Sequence, residues 1–142
     1  MATWTQQLTV TEFTRKITTD GTDIYYVANV DDIYKYDTGA NSTSQIANSA
    51  SWEADSDIDL SGSANLCWFN GDLYVLIVRD VAGVNQTQVW RYDGSGTSWT
   101  KVFSYTASEN NPVSLQSDDN YIVVVIAPTS GANIGRHSRY RS

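Results

Sequence analysis

Residues 66–78 read Leu66-Cys67-Trp68-Phe69-Asn70-Gly71-Asp72-Leu73-Tyr74-Val75-Leu76-Ile77-Val78. An apolar run enters Asn70-Gly71 and a second one leaves it. Asn-Gly is favoured where both central residues of a two-residue turn take positive φ, so the stretch predicts a β-hairpin. Its second strand is apolar at successive positions rather than alternate ones, which predicts burial on both faces.

The pattern recurs. Ile17–Asn29 aligns on Leu66–Val78 without a gap, 49 residues upstream, so that Asp23-Ile24-Tyr25-Tyr26-Val27 falls on Asp72-Leu73-Tyr74-Val75-Leu76. A third copy, Asn120-Tyr121-Ile122-Val123-Val124, lies 48 residues further on. The turns are Thr19-Asp20-Gly21-Thr22, Asn70-Gly71 and Ser117-Asp118-Asp119. A short block follows each hairpin: Ile33-Tyr34-Lys35-Tyr36-Asp37, Val89-Trp90-Arg91-Tyr92-Asp93 and His137-Ser138-Arg139-Tyr140-Arg141. Trp4, Trp52 and Trp99 each follow a Ser or Thr, are spaced by 48 and 47 residues, and open stretches that alternate with the period of a strand. Each repeat therefore predicts four strands, with a and b as the hairpin, c as the Tyr-Lys/Arg-Tyr block and d opening at Trp. Helical periodicity is absent, which disfavours all-α and α/β folds.

A four-stranded unit recurring at this step resembles the kelch-like β-propeller repeat, whose period is near 50. The likeness is best across residues 66–105, and Val27-Ala28 and Leu76-Ile77 stand where that family carries Gly-Gly. It is therefore blade architecture that the resemblance implies: an all-β fold of three four-stranded antiparallel blades within one domain, 1–142. The expected divisions are an outer strand 3–10, blade one 13–58, blade two 64–105 and an incomplete blade three 112–141. Asp93–Trp99 also resembles a sialidase-type Asp-box turn, but it is one residue too long and reads as an ordinary polar turn.

The chain opens in strand d and closes in strand c, so its N-terminal strand is expected to complete the C-terminal blade, in a neighbouring chain. Pairing there would remove an open sheet edge. The expected partner is thus the chain itself, as a head-to-tail homo-oligomer with a dimer favoured. Trp4, Leu8, Val10, Arg139 and Tyr140 would carry the assembly. Two chains would make a six-bladed ring, within the roughly 4–8 blades of propellers. A piece of a longer propeller, and a self-contained small β fold, are the alternatives.

The chain has 142 residues and a net charge of −7. Binding to a nucleic-acid duplex depends on neutralising phosphates, so an acidic domain is a poor candidate, despite Arg136, Arg139 and Arg141 near the end. No stretch approaches the roughly 18 apolar residues of a membrane span. No signal-peptide pattern occupies residues 1–20, and a soluble protein of undetermined location is expected. The single cysteine, Cys67, lies in an apolar run and reads as a small core residue.

Glu53, Asp55, Asp57 and Asp59 alternate along one predicted strand, which places four carboxylates on one face. Hard oxygen ligands suit calcium, but Leu60 and Leu66 occupy the positions where a calcium loop needs Gly and Glu. Charge that protects a sheet edge is the better reading, and no metal site is expected. Asp31-Asp32 and Asp118-Asp119 fall in predicted turns. Phosphate-cradling motifs, zinc spacings and a nucleophile–base pair are all missing, so no enzyme and no cofactor are expected. Asn41-Ser42-Thr43 and Asn85-Gln86-Thr87 match the N-glycan acceptor pattern.

Most aromatic residues recur at repeat positions and read as packing. Trp68 and Trp90 do not recur in every copy, which makes them candidates for stacking on a ligand. The connection b–c is expected to be long in blade two (Arg79–Thr87) and blade three (Ala127–Arg136), and c–d to be long only in blade one (Thr38–Ser51). Unequal loops on a rigid frame favour one composite interface, with Arg79, Asp80 and Asn85 as contact candidates. The expected function is a structural or protein-binding module, in a composition that suits a phage (virion) or extracellular appendage. A lectin-like carbohydrate- or receptor-binding propeller is the alternative.

Overall fold

The computed structural model describes residues 14–28, 32–48, 51–52, 57–58, 65–81, 83–106, 111–118, 120–127 and 136–140. Twelve strands and no α-helix occur among them: β1 (Thr14–Thr19), β2 (Ile24–Ala28), β3 (Asp32–Asp37), β4 (Ser42–Ala47), β5 (Asp57–Ile58), β6 (Asn65–Phe69), β7 (Asp72–Val81), β8 (Val84–Tyr92), β9 (Trp99–Thr106), β10 (Asn111–Ser117), β11 (Ile122–Ala127) and β12 (Arg136–Tyr140). All pairing is antiparallel. The first sheet has the order β1-β2-β3-β4 and the third β10-β11-β12. The second has the order β5-β7-β8-β9, with β6 also on β7.

The register reproduces the sequence repeat in the first two units, and in the third it corrects the expected step of 48 residues by one, because Arg139, the counterpart of Arg91, lies opposite Val123 and not Ile122. Tyr36 lies opposite Ile24, and Tyr140 opposite Ile122. Lys35, Arg91 and Arg139 lie opposite Tyr25, Tyr74 and Val123, which are successive copies of one position. Irregularities repeat too. Bulges interrupt β1 between Thr14 and Lys16 and β10 between Pro112 and Ser114. In β4 and β9 the register shifts so that Ile46 and Val102 are the extra residues. A bulge turns its extra side chain off the ladder, and both of these side chains pack inward toward hydrophobic cores. Ion pairs recur at matching places, with Lys35 Nζ 2.7 Å from Asp23 Oδ2 and Arg91 Nη1 3.9 Å from Asp72 Oδ2. The Asp23 carboxylate raises the Lys35 ammonium above its ordinary pKa.

Two cores separate the sheets. Tyr25, Val27, Ile33, Ile46 and Ala47 of the first sheet meet Leu66, Leu73, Val75, Ile77, Trp90 and Trp99 of the second. Cys67, Phe69, Tyr74, Leu76 and Val89, on the second sheet's other face, meet Leu115, Ile122, Val124 and Ile126 of the third. Successive side chains of a strand point to opposite faces, so β7 sends Leu73, Val75 and Ile77 one way and Tyr74 and Leu76 the other. Its unbroken apolar run reflects burial between two sheets.

Three sequence expectations are corrected here. Thr38–Ser51 is not a long c–d loop. It holds a tight turn at Thr38–Asn41 and then β4, with Asn41 at φ 51° and its Oδ1 accepting from the Tyr36 hydroxyl. Ser42-Thr43-Ser44-Gln45 is polar because an edge strand needs little apolar surface, and that concealed the strand. Consequently Trp52 does not open a strand of the first sheet. It follows β4 and is buried, and the register counterpart of Trp99 is Thr43, since Tyr36 pairs with Thr43 as Tyr92 pairs with Trp99. Asp57-Ile58, expected on the outer edge of the first unit, instead pairs with Asp80 and Arg79 of β7 in the second sheet.

The third correction concerns Arg79–Thr87, which is not a loop. The strands β7 and β8 continue through it, pairing Arg79 with Gln86, Asp80 with Asn85 and Val81 with Val84 around a turn in which Gly83 has φ 82°. Its polar sequence resembled a loop, yet β5 pairs with Arg79 and Asp80 on one side and β9 with Gln86 and Thr87 on the other, so the segment is part of the sheet. The expected third connection, the outer strand 3–10, and Glu53, Asp55 and Asp59 lie outside the described residues.

Candidate functional site

The open concavity that best combines aromatic and polar groups sits where the second and third sheets meet at their hairpin turns. It has a volume of about 390 Å³ and is lined by Trp68, Phe69, Asn70, Ser117 and Asp118. Local sequence explains its walls. Asn70 and Gly71 take φ of 50° and 88°, the left-handed values that a two-residue hairpin turn requires, which ends β6 directly after Phe69. On the opposite wall Asp118 Oδ1 accepts from the backbone N–H of Asn120 and Tyr121 at 2.7 and 2.8 Å, which shapes the turn after β10. Ser117 Oγ donates to the Trp68 carbonyl at 3.1 Å and ties the two walls together.

Trp68 is half-buried. Its ring stacks on Tyr25 of the first sheet, with centroids 5.3 Å apart and planes 18° from parallel. Tyr25 is itself anchored, its hydroxyl donating to Asp20 Oδ2 at 2.8 Å. Burial, reinforced by Asp20, raises the Tyr25 phenol far above its ordinary pKa, so it remains a donor. Asp20 Oδ1 accepts from the N–H of Thr22 and Asp23 at 2.8 and 2.6 Å. A chain of fixed contacts thus runs from a turn of the first sheet to the ring at the cleft.

That chain has a pH dependence. Burial works to raise the Asp20 pKa, but the N–H groups of Asp23 and Thr22 and the Tyr25 hydroxyl outweigh it and hold the carboxyl below its ordinary 3.8. A folded-state pKa below the unfolded one stabilises the protein above the unfolded pKa, and the contribution is lost as pH falls through the folded one. Thermal unfolding of wild type and Asp20→Asn should therefore differ near neutral pH and converge as pH falls below the carboxyl's ordinary 3.8 and through its lowered pKa. A difference independent of pH would show that the charge is not what matters at this turn.

Of the residues singled out from sequence, Trp68 is in the cleft's lining, with its carbonyl held by Ser117 and its ring packed toward the first sheet on Tyr25. Trp90 is a correction: it is buried, meets Trp52 edge-on at 5.6 Å, and its Nε1 donates to Gln88 Oε1 at 2.9 Å. It faces the first sheet because its neighbour Val89 faces the third, and alternation decides both. The backbone of Arg79, Asp80 and Asn85 belongs to the paired strands β7 and β8. Arg139 and Tyr140 pair with β11, while Trp4, Leu8 and Val10 lie outside the described residues. Cys67 is buried and its thiol is pushed up to about 12 by burial, which leaves it a packing group at neutral pH.

Sequence reasoning missed Asn70, Ser117 and Asp118 as site residues because each reads as a turn former. A usable signal was present: Ser117 is the repeat counterpart of Trp68, 49 residues on. Facing copies of one position come together when sheets stack in order. Among the described residues no group of three or more His, Cys, Asp or Glu is placed to hold a metal ion. No helix among them is long and apolar enough to cross a membrane. The cleft is lined by an amide, a hydroxyl and a carboxylate beside Trp68 and Phe69, which suit hydrogen bonding next to an apolar wall. No known protein family, curated protein or solved structure matches the chain.

Proposed function

We propose that the chain is a non-enzymatic structural and binding module, that its three sheets are successive propeller-type blades, and that chains join head to tail into a ring that docks a partner protein. One observation carries this reading: strand register, bulges and ion pairs recur at the repeat step, and consecutive sheets lie face to face. Propellers hold roughly 4–8 blades, so three would need company and two copies would supply six. The third sheet supports the same reading, because among the described residues β12 pairs with β11 alone while the first two sheets carry a further strand beyond their third. Residues 3–10 of a neighbouring copy are the proposed fourth strand. The likeness to kelch-like repeats is kept to the blade plan, and a place in a phage or extracellular appendage rests on composition.

Light scattering on the intact chain tests this. The expected result is a discrete multiple of the 15.7 kDa chain, with a dimer favoured. A stable monomer at micromolar concentration would sink the ring. The Trp68 cleft favours a second reading, a lectin-like site in which Asn70, Ser117 and Asp118 bond sugar hydroxyls beside Trp68. A glycan-array signal that Trp68→Ala removes would replace the protein-docking reading with that one.

A further inference from the structure

We infer that the outer faces of the first and third sheets are two halves of one joint, and that a second copy of this chain occupies each. The inference rests on the head-to-tail reading and assigns it surfaces distinct from the strand-exchange residues. The chain contains this joint twice already. At the first, Leu66, Leu73, Val75 and Ile77 of the second sheet cover Tyr25 and Val27 of the first. At the second, their repeat counterparts Leu115, Ile122, Val124 and Ile126 cover Tyr74 and Leu76.

The next copy of the covered pair is Val123 and Val125, on the third sheet's far face. Where Tyr74 and Leu76 are fully buried, these two are only half-buried. With Ser114, Gln116, Ser117 and Asp118 they line a hollow of about 430 Å³. The polar residues do not argue against a sheet there. The first sheet presents Lys16 and Thr18 beside Tyr25 and Val27, and there Tyr25 and Val27 are buried and Thr18 half-buried while Lys16 stays exposed.

The complementary half is the first sheet's other face. The counterpart of Leu66 and Leu115 is Ile17, and it is 65% exposed where they are 6% and 2% exposed. Ile24 and Tyr34, counterparts of Leu73 and Trp90, are half-buried beside the buried Tyr26 and Tyr36. One end of the stack thus exposes a residue that is buried everywhere else in the repeat, and the other end exposes the surface such residues cover. Unlike patches that meet give a heterologous contact, which closes into a ring if the rotation allows.

The test uses Ile17→Asp, Val125→Arg and, because Val125 is half-buried, the exposed-site variant Gln116→Arg. Far-UV circular dichroism first establishes that each is folded. Each variant alone should weaken self-association by about tenfold or more, as charge at the centre of a joint does. An equimolar mixture of Ile17→Asp with Val125→Arg or Gln116→Arg should regain association, since one joint then unites two unaltered halves. Folded variants as oligomeric as wild type would overturn these surfaces and leave the head-to-tail reading standing. Variants that dissociate but do not recombine would overturn the unlike-halves geometry. A monomeric wild type would overturn the head-to-tail reading itself.

Discussion

Trp99→Ala is expected to destabilise the fold by about 3–5 kcal/mol, the usual loss when a large buried aromatic is truncated. Trp99 opens β9 opposite Tyr92 and is buried between the first two sheets. Its ring lies 5.5 Å from Trp52 and 5.2 Å from Tyr92, so the cavity left behind would have rigid aromatic walls. Such walls collapse poorly, which favours the upper part of the range. A second loss is polar. Trp99 Nε1 donates to the Ile46 carbonyl at 2.7 Å, and Ile46 is the extra residue of the β4 bulge, off the regular ladder. Trp99→Phe separates the two losses: it retains much of the apolar volume but leaves that carbonyl without its indole donor, at about 1–3 kcal/mol. Urea unfolding of the pair measures both. If Trp99→Phe costs as much as Trp99→Ala, the hydrogen bond rather than the packing joins these sheets.

Leu76→Ala should cost about 2–5 kcal/mol, since it opens a cavity at the centre of the second core. Leu76 is fully buried, pairs with Val89 and Asn65, and packs among Cys67, Phe69, Val89 and the β11 side chains. Its counterpart in the third sheet is Val125. Val125→Ala removes fewer atoms from a half-buried position, so its cost should stay below about 1.5 kcal/mol when measured on the dissociated chain. Equal costs at the two positions would mean that the third sheet's outer face is already covered within one chain, contrary to the open joint inferred above.

The hairpins were legible because two local signals agreed. Asn70-Gly71 specifies a tight turn, and the run Leu73–Val78 has no polar face to show to water. The repeat offset aligned the first two hairpins correctly but missed the third by one residue, since Arg139 lies opposite Val123 where Arg91 lies opposite Tyr74. The reading failed at strands rich in polar residues. β4 is polar for most of its length, and the β7–β8 ribbon carries Arg79, Asp80, Asn85 and Gln86, which resemble loop residues. The even spacing of Trp52 and Trp99 also misled, because these two rings touch from unlike positions in their repeats. At the cleft, Trp68 was recognisable as an aromatic outside the repeat pattern, whereas Ser117 and Asp118 were masked by their value in turns.

Local chemistry by itself determined that the apolar segments are strands with buried faces, where the three hairpin turns fall, and which residues of the first two hairpins are equivalent. These depend on neighbours along the chain and on a side-chain period of two, both written in the order of residues. Only the tertiary structure decided which way each aromatic faces, that Trp90 is core while Trp68 borders a cleft, and that Ile17 stands exposed where its two counterparts are covered. Those outcomes depend on what lies across a face. Ile17 is open to solvent and Leu66 and Leu115 are not, although all three stand at the same place in the repeat.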